Sequence, residues 1–166
     1  MFHTILANNS CTAILPSPLV HDGGTGGGGG GRIIDKDNNS GGWFLSMFNT
    51  GTALRFTADQ FATSAAIRNS ANVIVLNQWQ HVAVTWDGSA DASNITFYIN
   101  GVNANVTGDN GTDGVGAAAS DTGTPFTIGN RTLDKARNFN GAIDGVRVYN
   151  RMLTPAEIQS LVNGGS

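Results

Sequence analysis

Apolar and polar residues alternate in the middle of the chain with the two-residue period of a β-strand. In the run 78–86, Val82, Val84 and Trp86 share one face, and the residues between them share the other. Asp87-Gly88 follows this run and indicates a turn. The pattern predicts a strand that opens a hairpin and has two faces to bury.

A second alternating run continues the hairpin. Residues 95–100 repeat the two-residue period, and Asn100-Gly101 is typical of a two-residue hairpin turn. The chain is therefore expected to return over residues 102–106 beside its predecessor. Together the three runs predict a three-stranded antiparallel meander.

Shorter apolar runs between turn signals predict further strands. Pro16 and Pro18 are expected to end the strand that begins at Cys11, or to confine it to a sheet edge, because proline cannot donate to the ladder. Within residues 61–72, the stretch 62–68 fits either a strand or a short helical turn. A bulge at Asp144-Gly145 would place the apolar residues of the last strand on one face. The predicted strands outside the meander are residues 2–7, 11–15, 32–36, 43–48, 54–57, 126–130 and 142–150, and residues 73–76 lead into the meander.

One short helix is predicted at the end of the chain. Thr154 is expected to cap it, Pro155 to take its first position, and Glu157 to complete a capping box. Residues 158–162 supply an apolar face, and Gly164 suits the C-terminal cap. This helix is the whole helical content that the pattern predicts.

Composition excludes several classes of protein. Only 13% of the residues are charged and the formal net charge is −3, so there is no electrostatic case for a nucleic-acid partner. Cys11 is the single cysteine, so no disulfide can form within the chain. Residues 1–7 lack the basic head and apolar centre of a signal peptide, and no apolar run reaches the roughly 20 residues of a membrane helix.

Two loops have a composition that invites a ligand. The glycine-rich stretch 22–31 is interpreted as a flexible surface loop, because a phosphate cradle needs a helix behind it and residues 32–36 predict a strand. The long loop 107–124 contains a weak calcium-loop pattern, with Asp109 and Asp113 as candidate Ca²⁺ ligands. Its third position is glycine and no glutamate follows at the twelfth, so a polar loop without an ion is the alternative.

Several segments occur in an order and at a spacing that together are typical of one protein family. They are residues 31–36, Gly42-Trp43, 78–88, 97–101, 126–129, 140–153 and 154–158. Over about residues 31–163 this series resembles the laminin G-like, concanavalin A-like lectin/glucanase superfamily. The resemblance implies an all-β fold, a two-sheet antiparallel β-sandwich (jelly roll) with one short C-terminal helix. A length of 166 residues suits one domain, so residues 1–166 are expected to form a single domain of this kind, of which 1–30 are divergent.

The start of the chain departs from this family. Its members usually open with a strand ahead of a Thr-Ile-x-x-Trp strand, and no tryptophan precedes Trp43. Residues 11–15 are the degenerate candidate for that strand. If an outer strand is missing, an unpaired sheet edge would invite another chain, which motivates the hypothesis of a homo-oligomer or larger assembly.

The aromatic residues and the central histidine have structural interpretations. Trp79 and Trp86 are expected in the core, because large aromatic side chains dominate core burial. His81 is expected to be a hydrogen-bonded structural residue. The aromatic residues whose polar atoms could face a ligand are Trp43, Tyr98 and Tyr149, and they are the candidate ligand-binding residues.

The acidic residues do not support glycosidase chemistry. A retaining glycosidase needs two carboxyl groups about 5 Å apart, and Glu157, the single glutamate, is already assigned to the capping box. Asp35 and Asp37 have the spacing of neighbours on one face, but they are expected to straddle a strand end. The sequence therefore predicts that the protein is not an enzyme.

The leading hypothesis is a non-catalytic recognition or adhesion module that binds carbohydrate, as lectins do, with a glycan or a protein surface as its partner. It rests on the resemblance, and a fold hosts many functions. One alternative is a structural virion protein, such as a phage decoration or tail protein. Another is a fragment of a larger surface protein. The expected location is extracellular, at the cell surface or in a virion.

Overall fold

The computed structural model describes the backbone of residues 11–21 and all atoms of residues 30–164. The predicted strand over 2–7 and residues 22–29 of the glycine-rich stretch lie outside the described residues. The elements are β1 (Cys11–His21), β2 (Arg32–Asp37), β3 (Gly42–Phe48), β4 (Ala53–Ala58), β5 (Ala66–Asn69), β6 (Trp79–Trp86), β7 (Thr96–Ile99), β8 (Val102–Asn103), β9 (Thr127–Ile128), β10 (Gly141–Ala142), β11 (Arg147–Tyr149) and the helix α1 (Pro155–Val162).

The strands form two antiparallel sheets. The first has the order β10-β1-β6-β7-β8, and β11 also pairs with β1, so this sheet has six strands. The second has the order β5-β4-β3-β2-β9. This arrangement confirms the predicted two-sheet sandwich with one short C-terminal helix. Among the described residues, no helix is long and apolar enough to span a bilayer.

The core lies between the two sheets. The six-stranded sheet contributes Val82, Val84 and Trp86, the face that the alternation in β6 predicted, and all three are buried. Phe56 of β4 packs against Trp86 with ring centroids 5.5 Å apart and against Trp43 at 6.0 Å. Burial of these rings supplies much of the hydrophobic driving force for closing the sandwich.

The helix α1 covers part of the outer face of the six-stranded sheet. Ile158 of α1 is fully buried and clusters with Ala83 of β6, Tyr98 of β7 and Leu153. The predicted capping box is present, since the Thr154 side chain accepts from the N–H of residue 157 and the glutamate there accepts from the N–H of residue 154. A second, smaller apolar cluster therefore lies outside the main core.

The prediction that Pro16 and Pro18 end a strand or confine it to an edge is wrong. The strand β1 runs through both prolines and lies inside its sheet, between β6 on one side and β10 and β11 on the other. The register shifts between Leu15 and Leu19. The irregularity falls where the prolines cannot donate to the ladder, so the strand continues beyond them.

The degenerate candidate for the first family strand, residues 11–15, is thus part of β1, which is paired on both sides. The edge at β5 is also partly covered, because Ile67 and Ser64 form isolated bridges with Thr112 and Val115 of the long loop. The strands β8 and β9 end their sheets in the described part of the chain. An oligomer stays a prediction.

The last predicted strand is interrupted. Residues 143–146 separate β10 from β11, and Gly145 has a φ of +59°. Ile143 and Val146 pack against the core as expected, whereas Val148 is 38% exposed. The interruption is longer than the predicted one-residue bulge, and β10 and β11 pair with β1 as separate strands.

Candidate functional site

The expectation that Trp79 lies in the core is wrong. Trp79 begins β6 and its side chain is 50% exposed, whereas Trp86 at the other end of the strand is 1% exposed, as predicted. An odd number of positions separates the two residues, so alternation places them on opposite faces of the sheet. Trp79 lies on the outer face with His81 and Ala83, beyond the part that α1 covers.

The segment before Trp79 is held in place by its backbone. Ile74 is buried in the core, and its N–H donates to the carbonyl of Thr52 at 2.9 Å. The buried side chain of Gln80 accepts from the N–H of Val75 at 2.7 Å and donates to the carbonyl of Val73 at 3.4 Å. The exposed side chains of this segment are therefore presented on a fixed loop.

We define the Trp79 surface as the exposed side chains of this segment with their polar neighbours: Val73, Val75, Leu76, Asn77, Gln78 and Trp79. At its border the side chain of Asn49 donates to Asn72 Oδ1 at 2.7 Å. The surface thus combines an exposed indole and exposed aliphatic side chains with several amides. Ligand sites commonly combine apolar contact area with a few polar groups that fix orientation.

The predicted ligand-binding aromatics do not lie together at this surface. Trp43 is 3% exposed and faces the core, and Tyr98 is 7% exposed beneath α1, where burial raises the pKa of its hydroxyl. The expectation that these two rings are exposed is wrong, because both strands are covered at these positions. Tyr149 is half-buried against the smaller cluster. Ligand binding by these residues stays a prediction.

His81 lies on the outer face between Trp79 and the helix-covered Ala83. Its imidazole is buried, and neither Nδ1 nor Nε2 has a hydrogen-bond partner in the part of the chain that is described. The expectation of a hydrogen-bonded side chain is therefore wrong. Its main chain instead pairs with Asn100, whose Oδ1 accepts from the His81 N–H at 2.9 Å. Burial lowers the pKa of the imidazole.

The two calcium candidates make local hydrogen bonds. Asp109 Oδ1 accepts from the N–H of Gly111 at 2.8 Å, and Asp113 Oδ1 accepts from the N–H of Ala92 at 2.9 Å. Within the ranges described, no group of three or more His, Cys, Asp or Glu side chains is placed to hold a metal ion. Calcium binding by this loop stays a prediction.

The carboxylates of β2 are on the strand rather than straddling its end, which corrects the expectation for Asp35 and Asp37. Asp35 is fully buried, pairs with Arg32 at 2.9 Å, and accepts from the N–H of Thr132 at 3.1 Å. Burial raises the pKa of Asp37 and that of Asp59. Because Asp35 is already engaged by these partners, it anchors the loop after β9 and offers no free acid.

The sequence comparisons define the class of protein. The family described as the concanavalin A-like lectin/glucanases superfamily matches residues 25–159. The chain belongs to this family, which confirms the resemblance that the segment series indicated. A search of curated proteins found no match.

Solved structures share the fold. A candidate carbohydrate-binding protein from Bacteroides ovatus has a TM-score of 0.61 and 20% identity, over 91% of this chain and 40% of that one. Botulinum neurotoxin type C, whose entry into cells is described as dependent on two ganglioside molecules, has a TM-score of 0.59 and 22% identity, over 95% of this chain and 36% of the toxin chain.

A heptameric pentraxin from Limulus polyphemus is also similar, with a TM-score of 0.56 and 19% identity, over 93% of this chain and 70% of the pentraxin. The chain thus spans about two fifths or less of the bacterial proteins and more of the pentraxin. At these identities the likeness establishes the fold.

Proposed function

We propose that the protein is a non-catalytic recognition module that binds carbohydrate through the Trp79 surface. The observation that carries this proposal is the half-exposed indole of Trp79 on a fixed strand end, flanked by Asn77 and Gln78. The apolar face of a pyranose can lie on an exposed indole while amide groups bind its hydroxyls. Membership of a lectin/glucanase superfamily supports this chemistry.

Several features support a binding role rather than catalysis. Glu157 caps α1 and pairs with Arg151 at 2.7 Å, and the Arg151 interaction lowers the pKa of that carboxyl to about 2. Glu157, the single glutamate, is therefore engaged at the helix end, and its lowered pKa does not suit a general acid. The carbohydrate-binding description of the Bacteroides ovatus structure and the ganglioside dependence of the neurotoxin point in the same direction for this fold.

A glycan array followed by calorimetry tests the proposal. We expect one class of neutral or acidic oligosaccharide to bind, and Trp79→Ala to weaken that binding at least about tenfold, which corresponds to about 1.4 kcal/mol. Trp79→Phe should retain part of the affinity, because a smaller ring still presents an aromatic face. Titrations with calcium and with a chelator show whether Asp109 and Asp113 contribute.

The matched control is Leu133→Ala, which removes an exposed apolar side chain outside the Trp79 surface. We expect it to leave the affinity unchanged. The proposal would be contradicted if no glycan on the array binds, or if the Trp79 and Leu133 variants lose equal amounts of glycan affinity. A recognition role implies an extracellular, cell-surface or virion location, and these locations stay predictions.

A further inference from the structure

Arg55 differs from the other arginines whose contacts the structure describes. Those arginines are neutralised by carboxylates or bound by carbonyl oxygens. The pairs are Arg32 with Asp35, Arg131 with Asp134 and Arg151 with Glu157, and Arg68 donates to the carbonyls of Ser93, Ile95 and Asp109. Arg55 is half-buried and has no carboxylate partner among the described residues.

The side chain of Arg55 is held on the outer face of the five-stranded sheet. Arg55 lies directly opposite Ser46 of β3 and Asn69 of β5, so the three residues share that face. Its Nε donates to Asn69 Oδ1 at 2.9 Å, and its guanidinium lies 3.9 Å from the centroid of the Phe48 ring. A ring beneath and an acceptor at one side fix the plane of the guanidinium.

This arrangement leaves both terminal nitrogens of Arg55 without an acceptor in the described structure. The paired Nη1 and Nη2 groups of an arginine form a fork that matches two oxygens of a carboxylate or sulfate. Burial lowers the pKa of Arg55, which reflects the cost of holding its charge away from water. No acid in the described ranges pairs with Arg55, and its terminal nitrogens are not buried, so an anion can reach them from solvent.

A second arginine lies on the other side of β3 and serves as a comparison for Arg55. Arg32 lies opposite Ser46 on the far side of β3, with its guanidinium 3.2 Å from the centroid of the Phe44 ring. Two arginines stacked on two phenylalanines thus flank one strand, about 10 Å apart by the spacing of strands. Arg32 is already balanced by Asp35, so of these two arginines Arg55 carries the uncompensated charge.

We propose that Arg55 is the centre of an anion-binding site on the outer face of the five-stranded sheet. It takes a carboxylate or sulfate group, either free or carried by a sugar, through both terminal nitrogens. Phe48 and Asn69 position the guanidinium. The site lies on the sheet opposite to the one that carries Trp79, so it is independent of the Trp79 surface and of the function proposed for it.

Titrations followed by NMR of the arginine side chains test this site. The probes are inorganic sulfate, a sulfated disaccharide, a disaccharide containing a uronic acid and the neutral parent disaccharide, at low ionic strength. We expect the charged probes to shift the Arg55 signals and the neutral one to leave them unchanged. Arg55→Gln should weaken charged-probe binding about tenfold or more, since hydrogen bonds in which both groups are charged are stronger than neutral ones.

Two further variants separate a built site from simple charge attraction. Arg55→Lys keeps the charge but loses the planar fork, so we expect an affinity between those of the native protein and Arg55→Gln. Arg147→Gln removes an exposed arginine from β11 of the other sheet and should leave binding unchanged. Thermal unfolding of each variant confirms that it is folded.

The outcomes are distinct. If inorganic sulfate binds as tightly as the sulfated disaccharide, the site recognises a free anion; if the disaccharide binds more tightly, a glycan is the source of the charge. Either result supports the site when Arg55→Gln abolishes the binding. The proposal is overturned if none of the charged probes binds. It is also overturned if Arg55→Gln and Arg147→Gln lose equal amounts of affinity for these probes. Loss of Trp79-dependent binding alone leaves this site untouched.

Discussion

Trp86 and Trp79 occupy the two ends of β6, and they differ in burial. Trp86 is buried between the sheets, where its Nε1 donates to the carbonyl of Ser89 at 2.9 Å. Trp79 is half-exposed on the opposite face. One strand therefore supplies a core residue at one end and a surface residue at the other, and residue type alone does not distinguish them.

The outer face of β6 passes from covered to open within a few residues. Ala83 is buried beneath α1, His81 is buried with no partner for its ring nitrogens among the described residues, and Trp79 is open. The position of the helix decides which of these side chains can meet a ligand. Substitutions at the covered positions should therefore affect stability, and substitutions at the open end should affect binding.

The largest expected effect is on the buried end of the strand. Trp86→Ala should lower the free energy of unfolding by about 3–5 kcal/mol, because it removes a large buried ring and leaves a cavity against Phe56. Chemical denaturation monitored by circular dichroism measures this loss. A decrease below about 1 kcal/mol would show that the interior repacks and would remove the contrast between the two tryptophans.

The next effect concerns the helix that covers the middle of the face. Ile158→Ala should cost about 2–4 kcal/mol, since the side chain is fully buried against Ala83 and Tyr98. Hydrogen exchange should accelerate first in residues 155–162. The matched control is Ser160→Ala, which changes an exposed position on the same helix and should alter stability little. Equal losses in the two variants would show that the smaller cluster does not hold the helix to the sheet.

A smaller effect, in pH dependence, is expected at His81. Burial holds the folded-state pKa of this histidine below its ordinary value of about 6.5. The unfolded chain therefore binds the proton more readily. The stability that the neutral imidazole contributes is fully present above about pH 6.5 and is lost as the pH falls through the lowered folded-state pKa.

Denaturant unfolding at a series of pH values tests the histidine. His81→Gln should flatten the dependence below about pH 6.5 relative to the native protein. Asp37 and Asp59 act in the opposite sense, because their raised pKa values favour the folded state as they become protonated at lower pH. An unchanged profile in His81→Gln would show that other groups dominate this range.

The smallest expected effect on stability belongs to the exposed end of the strand. Trp79→Ala should change the free energy of unfolding by about 0.5 kcal/mol or less, because surface substitutions away from buried contacts usually fall in this range. Its effect on glycan binding should be much larger. If Trp79→Ala destabilises the protein as strongly as Trp86→Ala, the ring is a structural residue and the binding proposal loses its basis.

The alternation in β6 contains more information than the sequence interpretation uses. It places Val82, Val84 and Trp86 correctly on the core face, and the same count puts Trp79 on the other one. The prediction for Trp79 fails because it weighs the size of the tryptophan above its position. Applying the two-residue period to every residue of the strand identifies the exposed indole.

Other features depend on contacts between distant parts of the chain. The isolation of the His81 ring and the lack of a carboxylate partner for Arg55, both among the described residues, follow from which strands become neighbours. No local pattern indicates either. Capping, by contrast, depends on residues three positions apart, so the sequence predicts the box formed by Thr154 and Glu157 correctly.

The place of β1 has a consequence for the order of folding. It is the strand that joins β6 to β10 and β11, so the first described strand finds its partners in the middle and at the far end of the chain. During synthesis the six-stranded sheet must wait for residues 141–149 before β1 has a neighbour on both sides. Until then one edge of β1 is open, and contacts so distant in sequence slow folding.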